Sequence, residues 1–144
     1  MKINLGCGKK KLAGFVNIDI VEPADLIMRV GKDKFPYKDG TVDRIEADNL
    51  LEHLNNEEFL FTMNECHRVL KSGGEFYFIV PDALHWADGA MGDPTHCRFF
   101  VPRSFRYFTD TPTYHTYGAT YGFKMFKLLE LKTDNRFFYC LLTK

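Results

Sequence analysis

The segment NLGCGKKKLAGFVNIDI, residues 4–20, decides the fold of this chain. A short apolar strand, residues 2–5, runs directly into the turn Gly6-Cys7-Gly8, and a basic loop leads to a second predicted strand at residues 15–20. Glycines at a strand end let a ligand approach bare backbone at the carboxyl edge of a sheet. Asp19, at the end of the next strand, can accept hydrogen bonds from both hydroxyls of a ribose. Together these features predict a nucleoside ligand.

The rest of the chain alternates strands with one clear helix. Apolar and alternating patterns predict further strands at residues 25–30, 42–47, 75–80, 124–131 and 137–143, the last two as antiparallel partners. Asn55 and Glu58 form a capping-box pattern before apolar residues at helical spacing, and Gly73-Gly74 is predicted to end that helix. We therefore predict an α/β fold with a mostly parallel sheet and an antiparallel C-terminal strand pair.

Length and charge limit the classes of protein. The 144 residues predict a single domain, residues 1–144, and 19 basic against 19 acidic side chains give no net field that would attract nucleic acid or a membrane. The net charge of zero is the sum of local net charges of +3 for residues 1–35, −6 for residues 36–65 and +3 for residues 66–144. The sequence has no apolar run of membrane-spanning length and no signal peptide, and its cysteines are scattered. We expect a cytoplasmic protein without membrane contact.

Three blocks, residues 4–20, 35–54 and 64–82, together resemble the class I S-adenosylmethionine-dependent methyltransferases. The likeness is strongest to a small variant group in which a loop follows the first glycine turn and leads to the pattern G-[FY]-[VI]-N-[IV]-D. It covers residues 3–82 and is looser beyond them. The resemblance implies a minimal, Rossmann-like seven-strand core that uses S-adenosyl-L-methionine. Residues 1–82 would form the cofactor-binding half, and residues 83–144 an acceptor-side loop with the terminal strands.

The resemblance also implies a set of cofactor contacts. Gly6, Cys7 and Gly8 would line the methionine and ribose, Asp19 would bind the ribose hydroxyls, and Asn49 with Leu50 would lie on the adenine side. The full set expected to bind the cofactor is Leu5, Gly6, Cys7, Gly8, Asp19, Ile20, Asp48, Asn49 and Leu50.

Two departures from the family pattern affect these expectations. Arg29 stands where the family usually has an acidic residue, and a guanidinium gains nothing from the adenine amino group. The sequence begins at the first strand, without the N-terminal helices that commonly cover the site. We expect an open site, or one closed by residues 83–122 or by the second subunit of a homodimer.

Glu52, His53 and His96 are candidate metal ligands. Two histidines and a carboxylate would form one face of a metal site if the loop at residues 93–105 folds back over the sheet. This arrangement is similar to that of metal-using small-RNA 2′-O-methyltransferases and some quinone O-methyltransferases, which have an additional glutamate where this chain has Asn49. The favoured interpretation is the plainer one, in which residues 51–54 begin a helix, His96 orders the loop, and no divalent metal is required.

Three residues after the fifth strand are candidates for a general base: His96, His85 and Asp82. A sulfonium methyl group leaves readily, so the enzyme mainly aligns the reactants and removes a proton from a hydroxyl or a protonated amine. A histidine with a near-neutral pKa suits that task.

The acceptor is predicted from side-chain composition and charge. Aromatic and arginine side chains after residue 83 would suit a nucleic acid, but zero net charge and the acidic middle segment favour a small-molecule or glycan-like acceptor. We expect methyl transfer to an oxygen or nitrogen atom. The alternatives are an RNA 2′-O-methyltransferase with a metal at Glu52, His53 and His96, and a non-catalytic cofactor-binding or partner subunit. A dinucleotide oxidoreductase is disfavoured because the third glycine of its fingerprint is missing.

Overall fold

The computed structural model describes all residues, 1–144, and contains one seven-stranded sheet. The strands are β1 (Lys2–Leu5), β2 (Val16–Asp19), β3 (Leu26–Ile27), β4 (Val42–Asp48), β5 (Leu70–Pro81), β6 (Lys127–Thr133) and β7 (Phe137–Thr143). The α-helices are α1 (Asn56–Val69) and α2 (Ala87–Met91), and short turns of 3-10 or π helix lie at Leu51–His53, Pro102–Tyr107 and Tyr114–Gly118.

The strands lie in the order β3-β2-β1-β4-β5-β7-β6, and all are parallel except β7. Leu5 at the end of β1 pairs with Ile18 in β2 on one side and with Ala47 in β4 on the other. The carboxyl ends of these three strands therefore meet at the point where the strand order reverses, which is where open α/β sheets bind ligands. The predicted Rossmann-like sheet with its antiparallel C-terminal pair is confirmed.

The connection from β1 to β2 is a loop, as the sequence indicated, and side-chain amides hold it closed. Asn17 Oδ1 accepts hydrogen bonds from Asn4 Nδ2 at 2.9 Å and from the backbone N–H of Leu12 at 2.8 Å. Asn17 Nδ2 donates to the backbone carbonyls of Leu12 and Phe15. Both asparagines are buried, and each is satisfied by protein partners.

The predicted start of α1 is correct, but its predicted end is wrong. Asn55 and Glu58 form both bonds of a capping box. The helix ends at Val69, four residues before Gly73, because Leu70 is already extended and pairs with Val42. Gly73 and Gly74 instead exchange backbone hydrogen bonds with Lys144 in the first part of β5.

The predicted strand boundaries also shift. The third strand is reduced to Leu26–Ile27, because the Asp25 carboxylate turns back to accept from the backbone N–H of Asn17. The sixth strand begins at Lys127 rather than at residue 124 and continues to Thr133.

The hydrophobic core lies on one face of the sheet. Residues of β4, β5 and β7 alternate between buried and half-exposed, as in a sheet that is covered on one side. Helix α1 and the aromatic segment after residue 98 cover the buried face, where Phe59 meets Phe100, Phe108 and Phe123 edge-on. Phe100, Phe105 and Phe108 are almost completely buried, so these aromatic side chains build the core.

No helix is both long and apolar enough to span a bilayer.

Candidate active site

The glycine turn and Asp19 form one rigid unit at the sheet edge. The Asp19 carboxylate accepts from the backbone N–H of Gly8 and from that of Ile20, each at 2.7 Å. The carboxylate is half-buried, and two N–H donors leave it further lone pairs. It can therefore accept hydrogen bonds from a ligand's hydroxyl groups without moving.

Gly6 and Gly8 both have left-handed backbone, with φ of 65° and 50°. A Cβ atom at Gly6 would lie 2.8 Å from Leu50 Cδ1, so a larger residue at this position would displace the Leu50 side chain. A Cβ atom at Gly8 would meet nothing within 4 Å. The second glycine thus borders open space in which a ligand can lie against the backbone.

A cavity of about 250 Å³ opens beside this unit. Four of the predicted cofactor residues line it: Gly6, Asp19, Ile20 and Leu50. Six further residues line the cavity, and of these only Arg29 stands at a position that the family resemblance associated with the adenine: Met28, Arg29, Val30, His53, Leu54 and Glu58. Met28, Arg29 and Val30 follow the very short β3, whose end the sequence pattern placed too late.

The other predicted cofactor residues lie differently. Cys7 and Asp48 line a second cavity of about 190 Å³, which shares Gly6 with the first, and Asp48 pairs with Lys10 at 3.0 Å. Leu5 is fully buried in the core, so it can offer a ligand only its backbone. Asn49 has left-handed backbone and donates its side-chain amide to Asp48.

Arg29 forms an ion pair with a residue of α1. Its guanidinium lies 3.6 Å from Glu58 Oε1, and Lys32 Nζ lies 3.8 Å from the same oxygen. Glu58 and Arg29 both line the cavity. The acidic group at this end of the cavity therefore comes from α1 and not from position 29.

The structure brings Glu52, His53 and His96 together. Their potential ligand atoms all lie within 4.8 Å of one another, and the two imidazole rings meet edge to face with centroids 4.7 Å apart. The loop that carries His96 is fixed by backbone hydrogen bonds from Cys97 and Arg98 to the carbonyl of Glu52. The loop thus folds back over the sheet edge.

The Glu52 carboxyl group is unusual. The residue is 1% exposed, and neither carboxyl oxygen has a hydrogen-bond partner. Burial raises the pKa of Glu52 to about 7. Leu51 and Leu54 on either side are also buried, but nothing in the local pattern distinguishes a buried glutamate here from a solvated one.

Asp82 and His85 are paired with each other at 2.8 Å, and Asp82 is bonded to β6, the edge strand that lies far from β2 and Asp19. The fully buried Asp82 carboxylate also accepts from the Thr133 hydroxyl in β6 and from the backbone N–H of Leu84. Although burial opposes ionisation, hydrogen bonds from His85 and Thr133 lower the pKa of Asp82. Neither Asp82 nor His85 lines the cavity beside Asp19.

Comparison with known proteins gives one family and many similar folds. A sequence profile of the family described as "Methyltransferase domain" matches residues 4–78. Among curated proteins, none matches the sequence.

Three solved structures illustrate the likeness of fold. A SAM-dependent methyltransferase from Archaeoglobus fulgidus superposes with a TM-score of 0.67 at 13% identity, covering 99% of this chain and 85% of that one. The 1,6-didemethyltoxoflavin-N1-methyltransferase from Burkholderia thailandensis, with bound 1,6-didemethyltoxoflavin and S-adenosylhomocysteine, superposes with a TM-score of 0.67 at 12% identity. The match covers 99% of this chain and 70% of that one. An S-adenosylmethionine-dependent methyltransferase from Mesorhizobium loti superposes with a TM-score of 0.61 at 13% identity, covering 99% of this chain and 90% of that one. At such identities the likeness is one of fold.

The buried Glu52 generates a pH-dependence of stability in metal-free protein. Because its pKa rises from 4.5 to about 7 on folding, the folded state binds the proton more tightly than the unfolded state. The free energy of unfolding should therefore fall as pH rises from 4.5 to 7, by on the order of 3 kcal/mol relative to Glu52→Gln. Urea unfolding over this pH range measures the difference. Glu57→Gln, at an exposed position, should keep the wild-type profile, and parallel profiles for the wild type and Glu52→Gln would contradict the prediction.

Proposed function

We propose that this chain, which belongs to the class I S-adenosylmethionine-dependent methyltransferases, methylates an oxygen or nitrogen atom of a small or glycan-like acceptor. The proposal rests on one observation, which is that two features lie together at one edge of the sheet. Asp19 is fixed beside the glycine turn, and the Glu52–His53–His96 cluster shares His53 with the same cavity.

The residues around the cavity fit the cofactor. Asp19 would accept from the ribose hydroxyls, and the open space beside Gly8 would admit the methionine part. Met28, Val30 and Leu50 offer apolar surface to the adenine. When bound, S-adenosylmethionine supplies a methyl carbon on a positively charged sulfur, which is open to attack in line with the carbon–sulfur bond.

The acceptor side is assigned to the cluster. His53 lines the cavity, and His96 packs edge-on against His53. Of the three bases considered from the sequence, His96 has this connection to the cavity, whereas Asp82 bonds to Thr133 in β6 and His85 bonds to Asp82. We infer that the acceptor loses its proton at the cluster, so that a lone pair on its oxygen or nitrogen faces the methyl group.

The charges near the cavity support a small acceptor over a polynucleotide. Asp48 and Asp93 are partly exposed acidic groups near Glu52. Such a surface repels phosphates. The Burkholderia thailandensis enzyme, which shares the fold, holds a small molecule together with S-adenosylhomocysteine.

Transfer of a labelled methyl group tests this assignment. Purified protein with methyl-labelled cofactor should label members of a panel of small alcohols, phenols, amines and oligosaccharides. RNA oligonucleotides, assayed in parallel, should remain unlabelled. Labelling of RNA without labelling of the small acceptors would overturn the choice of acceptor.

Gly8→Val should weaken binding of S-adenosylmethionine at least about tenfold, because a branched side chain fills the open space beside the turn. Gly40→Val is the matched control. Gly40 also has left-handed backbone and open space around its Cβ position, but it precedes β4 at the opposite end of the sheet. Calorimetric titration compares the two, and equal affinities would refute the placement of the cofactor.

His96→Ala should leave cofactor affinity intact and lower kcat by about 100-fold or more, as loss of a group that assists proton transfer does. His115→Ala removes an exposed imidazole, paired with Asp110, and serves as the control. Steady-state rates with the labelled acceptor, next to cofactor titrations, separate the two effects. A wild-type rate for His96→Ala would remove His96 from the mechanism.

A further inference from the structure

We propose that Glu52, His53 and His96 bind one divalent transition-metal ion, with Zn²⁺ as the probe. One carboxylate oxygen and two imidazole nitrogens would hold the ion, and one of these ligands, His53, also lines the cavity beside Asp19. The binding of the ion does not depend on the proposed function.

The first observation is the buried carboxyl group without a partner. Buried polar atoms in folded proteins are almost always hydrogen-bonded, and an unpaired buried charge is strongly unfavourable. Both oxygens of Glu52 lack any partner, yet they lie beside two histidines whose rings contact each other. A cation among these three side chains would satisfy the carboxylate directly.

The second observation is the orientation of the imidazole of His53. The Thr95 hydroxyl donates its single proton to Asp93 Oδ1 at 2.6 Å, so at 3.0 Å it accepts from His53 Nδ1. The hydrogen-bond network therefore assigns the ring proton of His53 to Nδ1. The Nε2 lone pair remains available.

His96 shows the same arrangement. Its Nδ1 donates to the backbone carbonyl of Ala90 at 2.7 Å, which again leaves the lone pair on Nε2. The side chain is only 8% exposed, so its orientation is fixed by its surroundings. Metal-binding histidines characteristically donate their second ring N–H to a carbonyl or carboxylate, and such partners orient the ring toward the ion.

The ligand set indicates the class of ion. Two imidazoles and one carboxylate suit Zn²⁺ and other first-row transition metals, whereas Mg²⁺ prefers oxygen ligands alone. Sites with three protein ligands leave a position for water or substrate. The carboxylate of Asp93, 3.9 Å from His96 Nε2, adds negative charge beside the proposed ion.

A consequence for catalysis rests on the proposed function. An ion here would lie beside the acceptor and favour loss of an acceptor hydroxyl proton to solvent water. The oxygen lone pair would then form the carbon–oxygen bond as the carbon–sulfur bond breaks, and the electron pair of that bond would remain on sulfur. His96 would act as a ligand in this arrangement.

Titration of metal-stripped, full-length protein tests the site. Calorimetry should show one Zn²⁺ per chain, and Co²⁺ should give the visible absorption of a nitrogen- and oxygen-ligated ion. Thr95→Val, which removes a positioning hydroxyl, should weaken Zn²⁺ binding roughly 10- to 100-fold, and Glu52→Gln and His96→Ala should weaken it more. His115→Ala, which changes a histidine outside the cluster, should bind as the wild type does.

Thermal unfolding separates a metal ligand from a structural residue. Without metal and above pH 7, where the Glu52 carboxyl group is ionised, Glu52→Gln should be at least as stable as the wild type, because an amide carries no buried charge. Zn²⁺ should raise the Tm of the wild type but not that of Glu52→Gln, and Mg²⁺ should raise neither. A wild-type protein that fails to bind Zn²⁺, or a Glu52→Gln variant that binds it equally well, would overturn the proposal.

The cofactor provides an independent readout. S-adenosylmethionine affinity is measured once in chelator and once with Zn²⁺. Cofactor binding without Zn²⁺ binding would refute the metal site and leave the methyltransferase assignment intact. Zn²⁺ binding without cofactor binding would refute the methyltransferase assignment and leave the metal site intact.

Discussion

The side-chain amide of Asn17 is the constraint on which the cofactor side depends. Parallel neighbouring strands need a crossover, which is usually a helix. Here the chain returns from β1 to β2 in a loop, and Asn17 bonds the loop backbone at Leu12 and Phe15 as well as the Asn4 amide in β1. Because that buried network fixes where β2 begins, Asp19 arrives beside Gly8, and their hydrogen bond closes the unit that would hold a ribose.

The cofactor side could be predicted from the sequence because its determinants are close together in the chain. The glycine turn lies eleven residues from Asp19, and parallel pairing brings the two strand ends side by side whatever the rest of the chain does. The capping box of α1 was equally local. The end of α1 was mispredicted because Gly73 and Gly74 pair with Lys144, a long-range contact that no local pattern encodes.

The acceptor side could be predicted only as a list of residues. Glu52 and His96 are separated by more than forty positions, and they meet because the loop at residues 93–98 bonds back to the carbonyl of Glu52. The sequence could name the three side chains but not their burial. The buried carboxyl group of Glu52, which has no hydrogen-bond partner, is the observation that favours a metal site over a simple helix start. The role of the aromatic segment could not be predicted from the sequence either, because only the packing shows that Phe100, Phe105 and Phe108 form the core.

Calorimetric titration of the purified chain with S-adenosylmethionine, S-adenosylhomocysteine and NAD tests the central claim most directly. If the Asp19–Gly8 unit holds the cofactor of a methyltransferase, both sulfur nucleosides should bind at one site per chain. NAD should give no heat beyond dilution. Absence of binding by either sulfur nucleoside, or binding of NAD in their place, would contradict the assignment of this sheet edge.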